Sequence, residues 1–455
     1  MIAAPASGSG KTLITCGILQ ALVDRGMKVA SFKCGPDYID PMFHSRVIGT
    51  RSKNLDAFFC NDDTLRYLFA RSADGMDISV IEGVMGFYDG TAAASTEASS
   101  YDVSEKIGAP VILIVDCKGT SISCIPVING FLEFRKNNIR GVLLNQMSKR
   151  IYEELKPAIE RETGTEVLGY IPKVTELLLE SRHLGLVLPN EIEGLKAKLS
   201  ELGRLLEKTI DIDRIVEIAG SAPDIEAKTP EMKKLSEKVR IGVADDDAFC
   251  FTYEDNLELL EQCGAEIVRF SPMNDPKLPD GIKGLVLSGG YPEVHAKALS
   301  NNVTMLEDIR SKLENGMPCM AECGGFMYLH EELEDQDRRF WPMVGYIKGK
   351  TFNTGRLTRF GYVKLSPRDG QILPENSLVK GHEFHYWDSE SCGDGWTAEK
   401  TSGKKYACIN GSDRIMAGFP HIYYYSNPEL PYSFMKACEK YDIRSDPHFR
   451  RDCFQ

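Results

Sequence analysis

The chain has 455 residues, more than one ordinary hydrophobic core accommodates, so two or three domains are expected. A formal net charge of −12 disfavours nucleic acid as a partner, and any polyanionic ligand must then be drawn in by a local basic patch. No stretch reaches the length of a membrane span and no charged-then-apolar leader is present, so neither a membrane partner nor export is expected; the thirteen cysteines, odd in number and without C-x-x-C pairs, read as reduced cytoplasmic thiols.

The first element is a loop. Ala4-Pro5-Ala6-Ser7-Gly8-Ser9-Gly10-Lys11-Thr12 runs into the helical spacing Ile14, Ile18, Leu19, Leu22, as a strand-loop-helix phosphate site requires. Ser7, Gly8 and Gly10 let backbone N–H groups face phosphates, Lys11 supplies charge, and the Thr12 hydroxyl is a ligand for Mg²⁺. Pro5 replaces the first glycine of the usual pattern. Only Met1 to Ala4 precede the loop, short for a strand of about 5–6 residues, which leaves an upstream start open.

Apolar runs then alternate with helical stretches, the signature of a covered, mainly parallel sheet. The run 29–32 ends in Lys33, suited to a γ-phosphate or to the carboxylate being activated. The run 78–81 ends in Glu82, at the carboxyl end of a strand where open parallel sheets hold their ligands, and Glu82 pairs with Thr12 as the expected Mg²⁺ site, with Asp56 joining them. Asp37, Asp40 and Asp89 stand on loops beside these strands. Each alone is an ordinary turn carboxylate, but around one phosphate loop the three suit metal binding, substrate orientation or proton handling. Asp116 after the run 111–115 is a second candidate of the Glu82 kind, and Asn145 follows the run 142–144.

Residues 1–220 are read as the first domain, 221–238 as a charged linker and 239–443 as a second α/β domain, followed by a charged tail, 444–455, expected to be loosely held. In the second domain the strand 284–287 ends in Ser288-Gly289-Gly290, whose glycines allow a carbonyl close to backbone donors. The run 316–321 leads into Cys323 and a helical start at Gly325, so Cys323 sits on a sharp strand-to-helix turn. The helix N-terminus is expected to lower its thiol pKa, and the Gly324 N–H to face an oxyanion. The general base must be a distant histidine: His382, His385 or His421. His44, His183, His295, His330 and His448 are given no catalytic role.

SGSGKT at 7–12, KCGPDYIDP at 33–41, NLDAFF at 54–59, EGVMGFYDG at 82–90, SRHLGL at 181–186, AECGGFMYL at 321–329 and RFGYV at 359–363 together resemble the cobyrinate a,c-diamide synthases of corrin biosynthesis, over nearly the whole chain. GPDYIDP discriminates most, because the related cobyric acid synthases carry a different sequence after that strand. The resemblance implies an α/β protein: a dethiobiotin-synthetase-like P-loop domain with a mainly parallel sheet, then a class I-type glutamine amidotransferase domain. It also implies ATP, glutamine and a tetrapyrrole acid as substrates and Mg²⁺ as cofactor. Asn145 resembles the adenine-contacting Asn of related P-loop synthetases. His421 aligns with the family's base, although Gly418 and Phe419 replace Ser and Tyr before it and Tyr423 stands where a second His is usual. His382 and His385 lie in GHEFHY at 381–386, read as a strand near the site, and then line the pocket or support it. The glutaminase is read as a Cys-His dyad with no third member assigned.

The implied chemistry is ATP-dependent. A carboxylate is a poor electrophile until converted to an acyl phosphate, which ammonia can then displace. Ammonia released through a Cys323 thioester must arrive unprotonated, which favours a shielded path between domains. Two turnovers give the a,c-diamide. Nickel-sirohydrochlorin and hydrogenobyrinate a,c-diamide synthases share the motifs and remain alternatives; from another class, so does a P-loop ATPase switch with a vestigial glutaminase. The ring, the amidation order and a homodimer stay open.

Overall fold

In a computed structural model of the chain, residues 1–174 and 194–442 are described, together with the backbone of two short strands, Ser181–Arg182 and Gly185–Leu186. His183 of the SRHLGL motif, and the tail with His448, lie outside the described residues. The chain divides into two compact units between Pro230 and Glu231. No helix or strand lies between Gly220 and Val239, the span read as a linker.

The first unit is built on seven parallel strands: β1 (Ile2–Ala3), β2 (Val29–Cys34), β3 (Arg51–Leu55), β4 (Ile78–Glu82), β5 (Val111–Asp116), β6 (Ile139–Asn145) and β7 (Glu166–Ile171), in the order β3-β2-β4-β1-β5-β6-β7. The predicted runs 29–32, 78–81, 111–115 and 142–144 all fall inside these strands. Every residue of β2 is buried, as expected of a strand covered on both faces. Although only two residues long, β1 lies at the centre, with Ile2 in register with Glu82 on one side and Ile112 on the other. Its carboxyl end therefore delivers the phosphate loop between the ends of β4 and β5. Helix α1 (Lys11–Asp24) buries Ile14, Ile18, Leu19 and Leu22, the spacing seen in sequence, and packs on the helix Leu195–Thr209. Two strands had no apolar run to announce them: β3 is RSKNL and half-exposed at its start, and β7 is interrupted by Gly169.

The second unit has a six-stranded sheet in the order Ala265–Phe270, Val239–Ala244, Gly284–Leu287, Cys319–Glu322, Ile415–Gly418, Asn410–Gly411, parallel except for the last pair. Its core gathers Phe249, Leu285, Leu287, Ala321, Phe326 and Tyr328. Between the elbow helix and Ile422 the chain adds two further sheets, of which the sequence pattern showed only the strand around GHEFHY. One is mixed and four-stranded; the other is antiparallel, in the order Lys405–Cys408, Trp396–Lys400, Arg359–Pro367, Val379–His385, His421–Ile422. Strands such as Arg359–Pro367 escape notice because most of their residues are partly exposed. This antiparallel sheet carries His421 at its edge, while the main sheet carries Cys323 at a strand end. Among the described residues no helix is long and apolar enough to cross a membrane.

Candidate functional site

The phosphate loop is shaped by its glycines. Gly10 caps α1 in the left-handed region at φ 89°, a conformation that leaves the first N–H groups of the helix directed at the loop's concavity. A Cβ there would come within 2.6 Å of Asn145 Nδ2. That amide donates to the Ser9 carbonyl at 2.9 Å, and its oxygen accepts the Gln146 N–H at 2.9 Å. Asn145 thus fastens the loop to the end of β6, a use that the adenine-contacting reading did not anticipate. The Ser9 hydroxyl braces the loop on the Ala6 carbonyl at 2.9 Å, and Ser7 and Gly8 are exposed.

Lys11 lies in a cage of backbone oxygens, its ammonium donating to the carbonyls of Ala6 at 3.0 Å and Met85 at 2.5 Å. Met85 holds a left-handed conformation, φ 50°, in the turn that follows β4. Gly86 packs on the phosphate loop so closely that a Cβ would meet the Pro5 carbonyl at 2.5 Å. Burial, then the neighbouring Lys33 cation, lowers Lys11 to about 8. The GVMG run after Glu82 was the available signal for this second wall of the site, and it was read only as part of a motif.

The strand ends converge on Glu82, which is fully buried. Its Oε1 accepts from Thr12 Oγ1 at 2.7 Å and from Lys33 Nζ at 2.6 Å, and Lys33 also donates to Asp40. Burial raises Glu82 to about 7 against the opposing pull of Lys33. Burial also opposes the charges of Lys33 and Asp40, but their mutual attraction prevails: Lys33 is held above, and Asp40 below, its ordinary value. His44 sits 3.5 Å from Glu82 Oε2, and burial depresses it to about 4. Lys33 and Asp40 are therefore an internal ion pair beside the loop rather than groups reaching outward.

The remaining acids are placed as follows. Asp37, half-buried, accepts the Ile39 N–H at 2.8 Å and is raised to about 7 by burial and then by the Asp40 charge. Asp89 is exposed and accepts the Gly86 N–H at 3.0 Å, and its charge favours the protonated form of Lys11. Asp56 is buried and accepts the Phe58 N–H at 2.8 Å. Asp116 is exposed and bonds the Lys118 N–H at 3.0 Å and Gln146 at 3.2 Å. Asp37, Asp56, Asp89 and Asp116 each brace a turn, as short acidic side chains commonly do.

The Thr12 and Glu82 pair suits Mg²⁺. Glu82 Oε2 is buried with no hydrogen-bond partner, and Oε1 is already beside the Thr12 hydroxyl. Among the described residues no group of three or more His, Cys, Asp or Glu is arranged to hold a metal. One hydroxyl and one carboxylate next to a phosphate loop is the sparse set Mg²⁺ uses when phosphates and water complete its shell.

In the second unit Cys323 joins the strand Cys319–Glu322 to the helix Gly324–Tyr328 at φ 47° and ψ −102°, a strained conformation for a residue with a side chain. Its N–H is tied to the Gly418 carbonyl at 2.8 Å. Gly290 leaves no room for a side chain, since a Cβ would fall 2.1 Å from the Ala248 carbonyl, and a Cβ on Gly324 would fall 3.0 Å from the Gly290 nitrogen. Gly324 and the Gly289-Gly290 turn thus form one small concavity. One expectation is corrected here: the thiol of Cys323 is not lowered but pushed well up, by burial first and then by the Glu293 charge, against the Gly324 N–H that pulls the other way. A five-residue helix does not outweigh that burial.

His421 closes the concavity, its Cε1 lying 2.3 Å from where a Cβ of Gly289 would be. It is buried, with Nδ1 3.9 Å from Glu322 Oε2, and stands opposite His382 in the antiparallel pairing, the rings 5.8 Å apart and 25° from parallel. Burial holds His421 well below its ordinary value, with His382 and His385 adding to the effect. His385 lies flat on Phe419, ring centroids 4.0 Å apart, and its Nδ1 is engaged at 2.6 Å with the Trp387 carbonyl. Nothing in the sequence singles out Glu322, the polar end of an otherwise apolar strand beside Cys323.

Comparison with known proteins agrees with this arrangement at the level of the whole chain. Residues 1–187 match the CobQ/CobB/MinD/ParA nucleotide binding domain, and residues 240–428 the CobB/CobQ-like glutamine amidotransferase domain. The chain is 39% identical over 447 residues to a cobyrinate a,c-diamide synthase of Caldanaerobacter subterraneus subsp. tengcongensis, covering 97% of this chain and 98% of that protein. Proteins of the same name from Priestia megaterium, 37% identical with 96% of each chain covered, and Thermoplasma volcanium, 38% identical with 98% of each covered, are similar over comparable spans.

Proposed function

The chain belongs to the family of cobyrinate a,c-diamide synthases, and we propose that its two sites divide that family's reaction between them. It is a glutamine-hydrolysing ligase of cobalamin biosynthesis, using ATP to amidate the a and c side-chain carboxylates of cobyrinate. In the second unit Cys323 is the nucleophile and His421 the base. The thiol proton passes to the imidazole, the sulfur attacks the amide carbon of glutamine, and the oxyanion is met by N–H groups of Gly324 and the Gly289-Gly290 turn. The proton returns to the departing nitrogen as ammonia leaves, and water hydrolyses the thioester to glutamate.

In the first unit the phosphates of ATP rest on Ser7 to Thr12, and Lys11 exchanges its carbonyl cage for phosphate oxygens. The γ-phosphoryl group passes to the substrate carboxylate, giving ADP and an acyl phosphate; ammonia then forms the amide and releases phosphate. Thr12 and Glu82 hold Mg²⁺, which supplies positive charge against the phosphates when bound. Asp37 and the exposed Asp89 orient the substrate, the internal Lys33–Asp40 pair holds Glu82 in place beside the loop, and Asn145 keeps the loop in place for the nucleotide. The twelve described cysteines are free thiols, which supports a reducing, cytoplasmic setting.

The observation that carries this reading is the pairing, in one chain, of the Thr12 to Glu82 contact beside a phosphate loop with the strained Cys323 elbow, whose Gly324 packs on a Gly289-Gly290 turn that His421 lies against. The test is incubation with ATP, glutamine and separate cobyrinate, hydrogenobyrinate and nickel-sirohydrochlorin acids, followed by mass spectrometry. Two successive acid-to-amide exchanges on cobyrinate are expected. Glutamine hydrolysis without any amidated acid would sink the assignment.

A further inference from the structure

Glu322 is an expensive residue for its position. It ends a buried strand, is only 8% exposed, and its Oε1 has no hydrogen-bond partner. An apolar side chain of similar size would avoid the cost of burying a carboxyl group there. The carboxyl adjoins the nucleophile in sequence, and across the sheets its Oε2 lies 3.9 Å from His421 Nδ1. Catalytic hydrogen bonds in unliganded sites are often this loose and tighten when substrate arrives.

Resting on the Cys323 and His421 reading above, we infer that Glu322 is the positioning residue of the glutaminase: its carboxyl accepts the Nδ1–H of His421 and so fixes the tautomer whose Nε2 lone pair takes the Cys323 proton. The residue two places after His421 is Tyr423, and its hydroxyl is committed at 2.9 Å to Asp255, so the orienting role falls to the residue before the nucleophile. A histidine base works only if its acceptor nitrogen faces the nucleophile, and a carboxyl behind the ring is the general means of securing that.

The surroundings agree. Burial raises Glu322 to about 8, against an opposing bond from the Ile422 N–H. The groups that bear on this pair are His382 and His385 on the neighbouring strand, Cys323 and Tyr424, which feel the Glu322 charge, Cys319, which acts on Tyr424, and Glu293 and Glu383, which act on Cys323. His382, at about 4, and His385, below its ordinary value, are neutral when Glu322 titrates. The ionisation of Glu322 strengthens His421 as a base, so glutamine hydrolysis gains a rising limb near that pH.

The test uses the full chain. In ¹⁵N-histidine-labelled wild type, with His421→Asn to identify the resonance, His421 should appear as the Nδ1–H tautomer; an Nε2–H tautomer would overturn the inference without depending on any Glu322 variant. Glutamine hydrolysis by Glu322→Gln should show kcat lower by about tenfold or more, KM within about twofold, and no rising limb, with part of the limb restored in Glu322→Asp. Unchanged kcat and pH profile in Glu322→Gln would also overturn it. If His421→Asn itself leaves hydrolysis intact, it is the Cys-His reading that fails, a result separate from those.

Discussion

The Thr12 hydroxyl donates to Glu82 Oε1 at 2.7 Å, joining the start of α1 to the end of β4 across 70 residues of chain. In Glu82→Gln the carboxylate that gathers Thr12 and Lys33 is lost. The half-saturating Mg²⁺ concentration for amidation should rise about tenfold, corresponding to about 1.4 kcal/mol of cation binding, and turnover should slow. Rate against Mg²⁺ concentration is the measurement, and an unchanged curve would reduce Glu82 to a structural strand end.

Lys11 presents a second, separable lesion. Lys11→Ala removes the cation that the Ala6 and Met85 carbonyls hold ready, and ATP-dependent amidation should fall by about 10²-fold or more. Glutamine hydrolysis, which needs no phosphate loop, should persist at its basal rate. Undiminished amide formation would remove the loop from the mechanism.

Cys323→Ser is expected to show the opposite pattern. Glutamine-driven synthesis should drop by about 10³-fold or more, the order seen when a catalytic nucleophile is deleted. Ammonium salts at alkaline pH, where free ammonia is plentiful, should restore diamide formation with stoichiometric ATP consumption. A mutant that still uses glutamine would show that another residue is the nucleophile.

The Glu322 carboxyl also leaves a thermodynamic trace. Its folded value near 8 lies above the ordinary 4.5, so the folded chain retains a proton that the unfolded chain releases. The stability this contributes is complete below pH 4.5 and is lost as pH rises through about 8. Glu322→Gln has no such proton to lose. Its melting temperature relative to wild type should therefore climb between pH 5 and pH 8.5, by about 2–4 °C per kcal/mol for a unit of this size. A gap independent of pH across that window would contradict a neutral buried Glu322.

Much of both sites was legible because strand ends leave clear marks. Apolar runs stopping at Lys33, Glu82 and Asn145 place those residues at the carboxyl edge of a parallel sheet, and the glycines after Cys323 and at 289–290 mark the elbow. Side-chain partners were harder to read. Nothing local reveals that Lys33 is tied to Glu82, that Asn145 serves the loop, or that Met85 contributes through its carbonyl, because these bonds join residues 49 to 136 apart in the chain. Of the sheet bearing His421, the strand around GHEFHY was legible, whereas Arg359–Pro367 was hidden by its partly exposed residues. The thiol was misjudged for a physical reason: helix polarity was visible in sequence, while the depth of Cys323 was not.

The phosphate loop near the amino terminus is completed by residues made much later. Its serine carbonyl waits for Asn145, 136 residues on, its lysine for Met85, 74 residues on, and β1 has no neighbours until β4 and β5 exist. During synthesis these pairings cannot form until the distant strands have left the ribosome, so the loop emerges well before the residues that fix it. ATP affinity should therefore appear in nascent chains as a step once β6 is free, rather than growing with length. A truncation that keeps SGSGKT and stops before Asn145 should carry the motif without the binding.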